Sequence, residues 1–133
     1  MTAEMLFFTG FALGALPGPL IILANMWRAF SDGRTVERIA LEEQRLEDPI
    51  FKIISGEVST RAAFAGDPAA ALLCEGDGLR LREAKLAMIR ARPRITRRIR
   101  LGMGVFLVGA PLGAFAGYGL AVWRGLAPPP TWL

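Results

Sequence analysis

The chain has no histidine and one cysteine, Cys74. Without an imidazole there can be no Ser–His or Cys–His nucleophile pair and no histidine-containing metal cage. A single thiol cannot form a disulfide within the chain. Phosphate-binding loops, dinucleotide glycine fingerprints and metal-ligand spacings are also missing. Glu42-Glu43 and Glu47-Asp48 are the paired carboxylates. Their arginine neighbours suit a solvated helix face better than an acid/base pair, and Cys74 suits a small apolar filler. The expectation is a non-enzyme with no cofactor and no metal.

Charge is missing over two long stretches as well. No side chain from Met5 to Trp27 is charged, and none from Leu101 to Trp123. Each stretch covers 23 residues. At roughly 1.5 Å per residue such a helix is about 34 Å long, enough to cross a hydrocarbon core about 30 Å thick. Helices buried in soluble proteins seldom avoid charge for so long. Trp27 and Trp123 close the two stretches, at the depth where an indole prefers the headgroup layer. A cleaved signal peptide would start with basic residues, whereas Met1-Thr2-Ala3-Glu4 has none. The first stretch is therefore read as a retained anchor.

The predicted fold class is an all-α membrane protein: a two-transmembrane-helix hairpin enclosing a small, mainly helical cytoplasmic segment. Its parts are a short extracytoplasmic N-terminus (1–4), transmembrane helix 1 (5–27), the cytoplasmic segment (28–100), transmembrane helix 2 (101–123) and a Pro-rich extracytoplasmic C-terminus (124–133). Orientation follows from basic flanks. Arg28, Arg34, Arg38 and Arg45 follow the first span; Arg90, Arg92, Arg94, Arg97, Arg98 and Arg100 precede the second; Arg124 alone lies beyond it. Fourteen arginines against two lysines, with abundant alanine, fit a GC-rich bacterial gene. The expected location is the inner membrane of a bacterium, with both termini outside.

Within the spans, Gly10, Gly14 and Gly18 recur every four residues, as do Gly109, Gly113 and Gly117. Each set lies on one helix face, where two backbones can approach closely. The ladders suit either sealing of the hairpin or joining of several copies. Pro17, Pro19 and Pro111 lie near mid-span and predict kinks. The Leu16-Pro17-Gly18-Pro19-Leu20 run resembles the first helix of amino-acid exporters of the lysine-exporter type, which have a Pro-Gly-Pro there. Those exporters have several further membrane helices, and no function is carried over. Two broken helices can mark a transport site, but Tyr118 is the only ionisable group in either span to couple an ion.

Between Ser31 and Met88 there are eight basic and eleven acidic residues, whereas Arg90 to Arg100 holds six arginines and no acid. That run reads as a topology signal and a contact for anionic lipid headgroups. Nucleic acid is disfavoured as a partner because no aromatics interleave the arginines. A helix is expected over Arg34–Asp48, ended by Asp48-Pro49. A helix turn or strand is expected at Ile50–Ile54, and a helix following the Asp67-Pro68 cap. A further helix from Leu79 should break at Pro93. With few large apolar side chains, the segment has a thin core. Function is expected to lie in association, as an accessory, assembly or scaffold subunit contacting lipid, other membrane subunits or its own copies. The alternatives are a homo-oligomeric, holin-like pore and a membrane tether for a soluble partner.

Overall fold

The computed structural model describes residues 1–131; the last two residues of the expected C-terminal segment 124–133 lie outside them. Among the described residues helix is the only regular structure. The elements are α1 (Ala3–Ala15), α2 (Pro17–Glu42), α3 (Pro49–Ile54), α4 (Thr60–Ala65), α5 (Pro68–Leu72) and α6 (Leu79–Trp123). Two compact units result: Met1–Asn25 with Arg97–Leu133, and Met26–Thr96.

In the first unit, Thr2 caps α1 by accepting the Met5 amide, 3.3 Å away. α1 and α2 meet at Leu16, which keeps helical angles (φ -58°, ψ -42°) and is bonded both ways, its amide to the Ala12 carbonyl and its carbonyl to the Leu20 amide. Pro17 and Pro19 cannot donate to the Leu13 and Ala15 carbonyls, so the bond ladder is interrupted there while the helical path continues. α6 runs without interruption through Pro111 and ends at Trp123. Beyond it, the Leu126 amide bonds the Ala121 carbonyl and the Gly125 amide bonds that of Val122, while Gly125 has φ 70°. This is a Schellman ending, and its left-handed position suits glycine.

The side chains of this unit are arranged opposite to those of a soluble protein. Its buried positions include Leu6, Gly18, Gly102, Ala110, Ala114, Gly117 and Ala121, nearly all of them small. Large apolar residues point outward, Phe8, Leu13, Leu23, Leu107, Leu112 and Phe115 among them. Of the most apolar stretch of each long helix, 11% and 22% is buried, whereas a core helix would be mostly buried. The Ala3–Glu42 run, formed by α1 and α2 together, and α6 are each long and apolar enough to cross a membrane.

The second unit has a conventional core: Val36, Ile39 and Ala40 from α2, Ile50 from α3, Leu72 from α5, and Leu81 and Met88 from α6. Each fully buried large side chain contributes about 1.5–3 kcal/mol relative to exposure. Side-chain caps start the short helices: Asp48 accepts from the Ile50 amide, Ser59 from Ala62, and Asp67 from Ala69 and Ala70.

Two boundaries differ from expectation. α2 stops at Glu42 rather than Asp48, because Gln44 takes φ 58° and two bonds close the end, Arg45 amide to Ala40 carbonyl (2.8 Å) and Gln44 amide to Leu41 carbonyl (3.1 Å). This is again a Schellman pattern, so Asp48-Pro49 begins α3 instead of ending α2. At Pro93, α6 continues. The lost bond to the Ile89 carbonyl is outweighed where Met88 and Ile95, on either side, are both buried.

Candidate functional site

Three features of the structure bear on function: the glycine faces, a buried ionic cluster and an apolar groove.

The two glycine ladders face each other within the chain. A Cβ placed on Gly10 would strike the Gly113 carbonyl oxygen, one on Gly14 that of Gly109, and one on Gly117 that of Leu6. Gly18 meets Gly102 and Phe106, with the Gly102 oxygen 2.6 Å from its added Cβ. As one residue number rises the other falls, so the paired segments are antiparallel. Gly104 and Gly119, on the same α6, would meet nothing within 4 Å. The one buried polar side chain of these segments, Asn25, returns its amide to the Ile21 carbonyl at 2.8 Å. Trp27 and Trp123 are 71% and 81% exposed.

The ionic cluster lies in the second unit and has no signature in the sequence motifs. Lys85 is 0% exposed. Its ammonium donates to Asp48 Oδ2 at 2.6 Å, Asp77 Oδ2 at 2.8 Å and the Leu72 carbonyl at 2.8 Å, satisfying all three of its protons. Asp48 Oδ1 also caps α3. Asp77 Oδ2 takes the Cys74 amide at 3.0 Å, and the Asp77 amide bonds the Cys74 carbonyl, closing a turn. Arg45 reaches the Gly76 carbonyl and, at 3.5 Å, Asp77 Oδ1. Two cations thus balance two carboxylates, and no buried side-chain polar atom among the described residues lacks a partner. Candidate ligand atoms of Asp48, Cys74 and Asp77 lie within 4.8 Å of one another, but the Lys85 ammonium already bonds both carboxylates. The cluster joins α3, the Cys74–Asp77 turn and α6, so its role is to hold the unit together.

The arginine run divides by exposure. Arg90, Arg94, Arg97, Arg98 and Arg100 are exposed, and among the described residues none forms an ion pair. Arg92 differs. It is half-buried, with its guanidinium 4.9 Å from the centre of the Phe64 ring. It borders an apolar groove of about 290 Å³ that includes Phe30, Ile53, Ile54, Phe64, Met88 and Ile95.

The paired Glu42-Glu43 and Glu47-Asp48 do not share one face: Asp48, expected on a solvated helix face, has a fully buried side chain and lies past the end of α2. Glu42 pairs with Arg80 at 2.7 Å and Asp48 is committed to Lys85. The chain matches no family model, no curated protein and no solved structure.

Proposed function

We propose that the chain is a non-catalytic integral membrane protein acting by association, as an accessory, assembly or scaffold subunit of a bacterial inner-membrane complex. The observation that carries this reading is the inverted arrangement of the first unit, small residues inside and large apolar ones outside. Water cannot cover such a surface favourably, but lipid tails and membrane helices of other proteins can. In this reading the Met26–Thr96 unit is cytoplasmic, both termini are outside, and the exposed arginines lie against anionic headgroups, each contributing about 1 kcal/mol.

The glycine faces support a hairpin closed within one chain. A homo-oligomeric pore would need another surface to join its copies. Extraction from native membranes in mild detergent should then yield the chain in a complex heavier than the monomer, with partner subunits identified by mass spectrometry. Recovery of free monomer alone, at native expression, would count against the reading.

A further inference from the structure

We propose that the groove of the Met26–Thr96 unit is a binding site for one phospholipid, with an acyl chain among Phe30, Ile53, Ile54, Phe64, Met88 and Ile95, and the headgroup phosphate on Arg92. This rests on the membrane placement proposed above. The groove's volume of about 290 Å³ lies at the lower end of small-molecule sites. Its wall is apolar, so an acyl chain lying on it covers that wall from water; the chain itself comes from the bilayer and gains little in hydrophobic terms.

Arg92 supplies the charge complementarity. It is half-buried, fixed over Phe64, and has no carboxylate or carbonyl partner among the described residues. A guanidinium held in this way is a fork suited to phosphate oxygens. Arg34, also in the lining, is already paired with Glu37 at 2.7 Å and stacked on Phe30.

Position supplies the source of the ligand. Along α2, Phe30 is three residues past Trp27, and along α6, Ile95 is six residues before Leu101. At about 1.5 Å per residue Phe30 and Ile95 are about 5 and 9 Å along their helices from the ends of the apolar stretches, within and just past a headgroup layer about 5–8 Å thick.

Asp32 sets the headgroup. It lines the same groove, is half-buried and has no cationic partner among the described residues. One unpaired guanidinium and one unpaired carboxylate match a zwitterion, with the phosphate at Arg92 and an amine at Asp32. The site thus selects phosphatidylethanolamine over phosphatidylglycerol, while the outer arginines serve the anionic surface in general.

The test uses the full chain in phosphatidylcholine nanodiscs containing phosphatidylethanolamine with a photoreactive diazirine in mid-chain. Adducts are located by peptide mass spectrometry. Labelling is expected on α3, α4 and the Phe30 turn, competed by unlabelled phosphatidylethanolamine. Arg92→Gln, or Ile54→Trp to fill the groove, should cut it about fivefold or more, with circular dichroism unchanged. Adducts at Phe8 and Leu107 report membrane insertion and should be insensitive to both variants. Span adducts without groove adducts would overturn the site alone, and absence of span adducts would overturn the membrane reading beneath it. A phosphatidylglycerol probe should label the groove severalfold less, and Asp32→Asn should remove that difference. Equal labelling of the unmodified chain by both probes would overturn the headgroup assignment.

Discussion

Lys85→Met should destabilise the Met26–Thr96 unit by about 3–5 kcal/mol, the usual cost of removing one partner from a buried ion pair. The reason lies in what stays behind. Asp48 and Asp77 have fully buried side chains, and without the ammonium Asp48 would keep only the Ile50 amide and Asp77 only the Cys74 amide and Arg45 at 3.5 Å. Small domains are stable by only about 5–15 kcal/mol, so this loss takes a large share. Hydrogen exchange on the intact chain in detergent reads it directly. Amides of α3 and α5, held through Asp48 and the Leu72 carbonyl, should exchange about a hundredfold faster or more. The triple variant Lys85→Met, Asp48→Asn, Asp77→Asn removes the three fully buried charges together and leaves only Arg45, which reaches solvent; it should recover most of the protection, since asparagine still caps α3. Protection in Lys85→Met equal to that of the parent chain would show that the cluster is not what holds these helices.

The second large effect is expected in the glycine faces and is separable from general helix propensity. Gly113→Ala places a methyl on the Gly10 carbonyl, and Gly14→Ala places one on that of Gly109. Backbone cannot rotate away as a side chain can, so the helices must separate, at about 1–3 kcal/mol per site. Gly104→Ala and Gly119→Ala are the matched controls, because their added Cβ atoms meet nothing within 4 Å. On propensity alone these should be neutral or better by about 0.5–1 kcal/mol. Reversible unfolding in mixed mild detergent and dodecyl sulfate, followed by helical circular dichroism, should separate the pairs clearly. If Gly113→Ala is as stable as Gly104→Ala, close approach of the backbones is not what joins the segments.

Much of the fold is legible in the sequence because it depends on local composition. Two charge-free stretches ended by Trp27 and Trp123 announce the long apolar helices, and Asp67-Pro68 announces α5. The four-residue spacing of Gly10, Gly14 and Gly18 reveals a close-packing face but not its counterpart, since spacing within one helix says nothing of what lies opposite. The end of α2 is not legible, because glutamine in a left-handed position is unfavourable by about 1–2 kcal/mol and tertiary contacts must impose it. Arg45, the residue just past that turn, bonds Gly76 and Asp77.

Lys85 is hard to recognise as a buried residue from its neighbours in the chain. Among Arg80, Arg82 and Glu83 it looks like one more solvated charge. Yet it is four residues after Leu81 and three before Met88, on the same helical stripe as two core residues. That register was the available signal. Its acidic partners were not legible, because Asp48 is 37 residues away and Asp77 is reached through a turn.

The central claim, that the chain spans the membrane with Met26–Thr96 on the cytoplasmic side, is tested most directly by thiol accessibility. In a Cys74→Ser background, Ser55→Cys and Leu126→Cys each offer one exposed thiol position to a membrane-impermeant maleimide on bacterial spheroplasts. The account predicts that Leu126→Cys is labelled while the membrane is intact and Ser55→Cys only after permeabilisation. Labelling of Ser55→Cys behind an intact membrane, or release of the chain by alkaline carbonate, would contradict it.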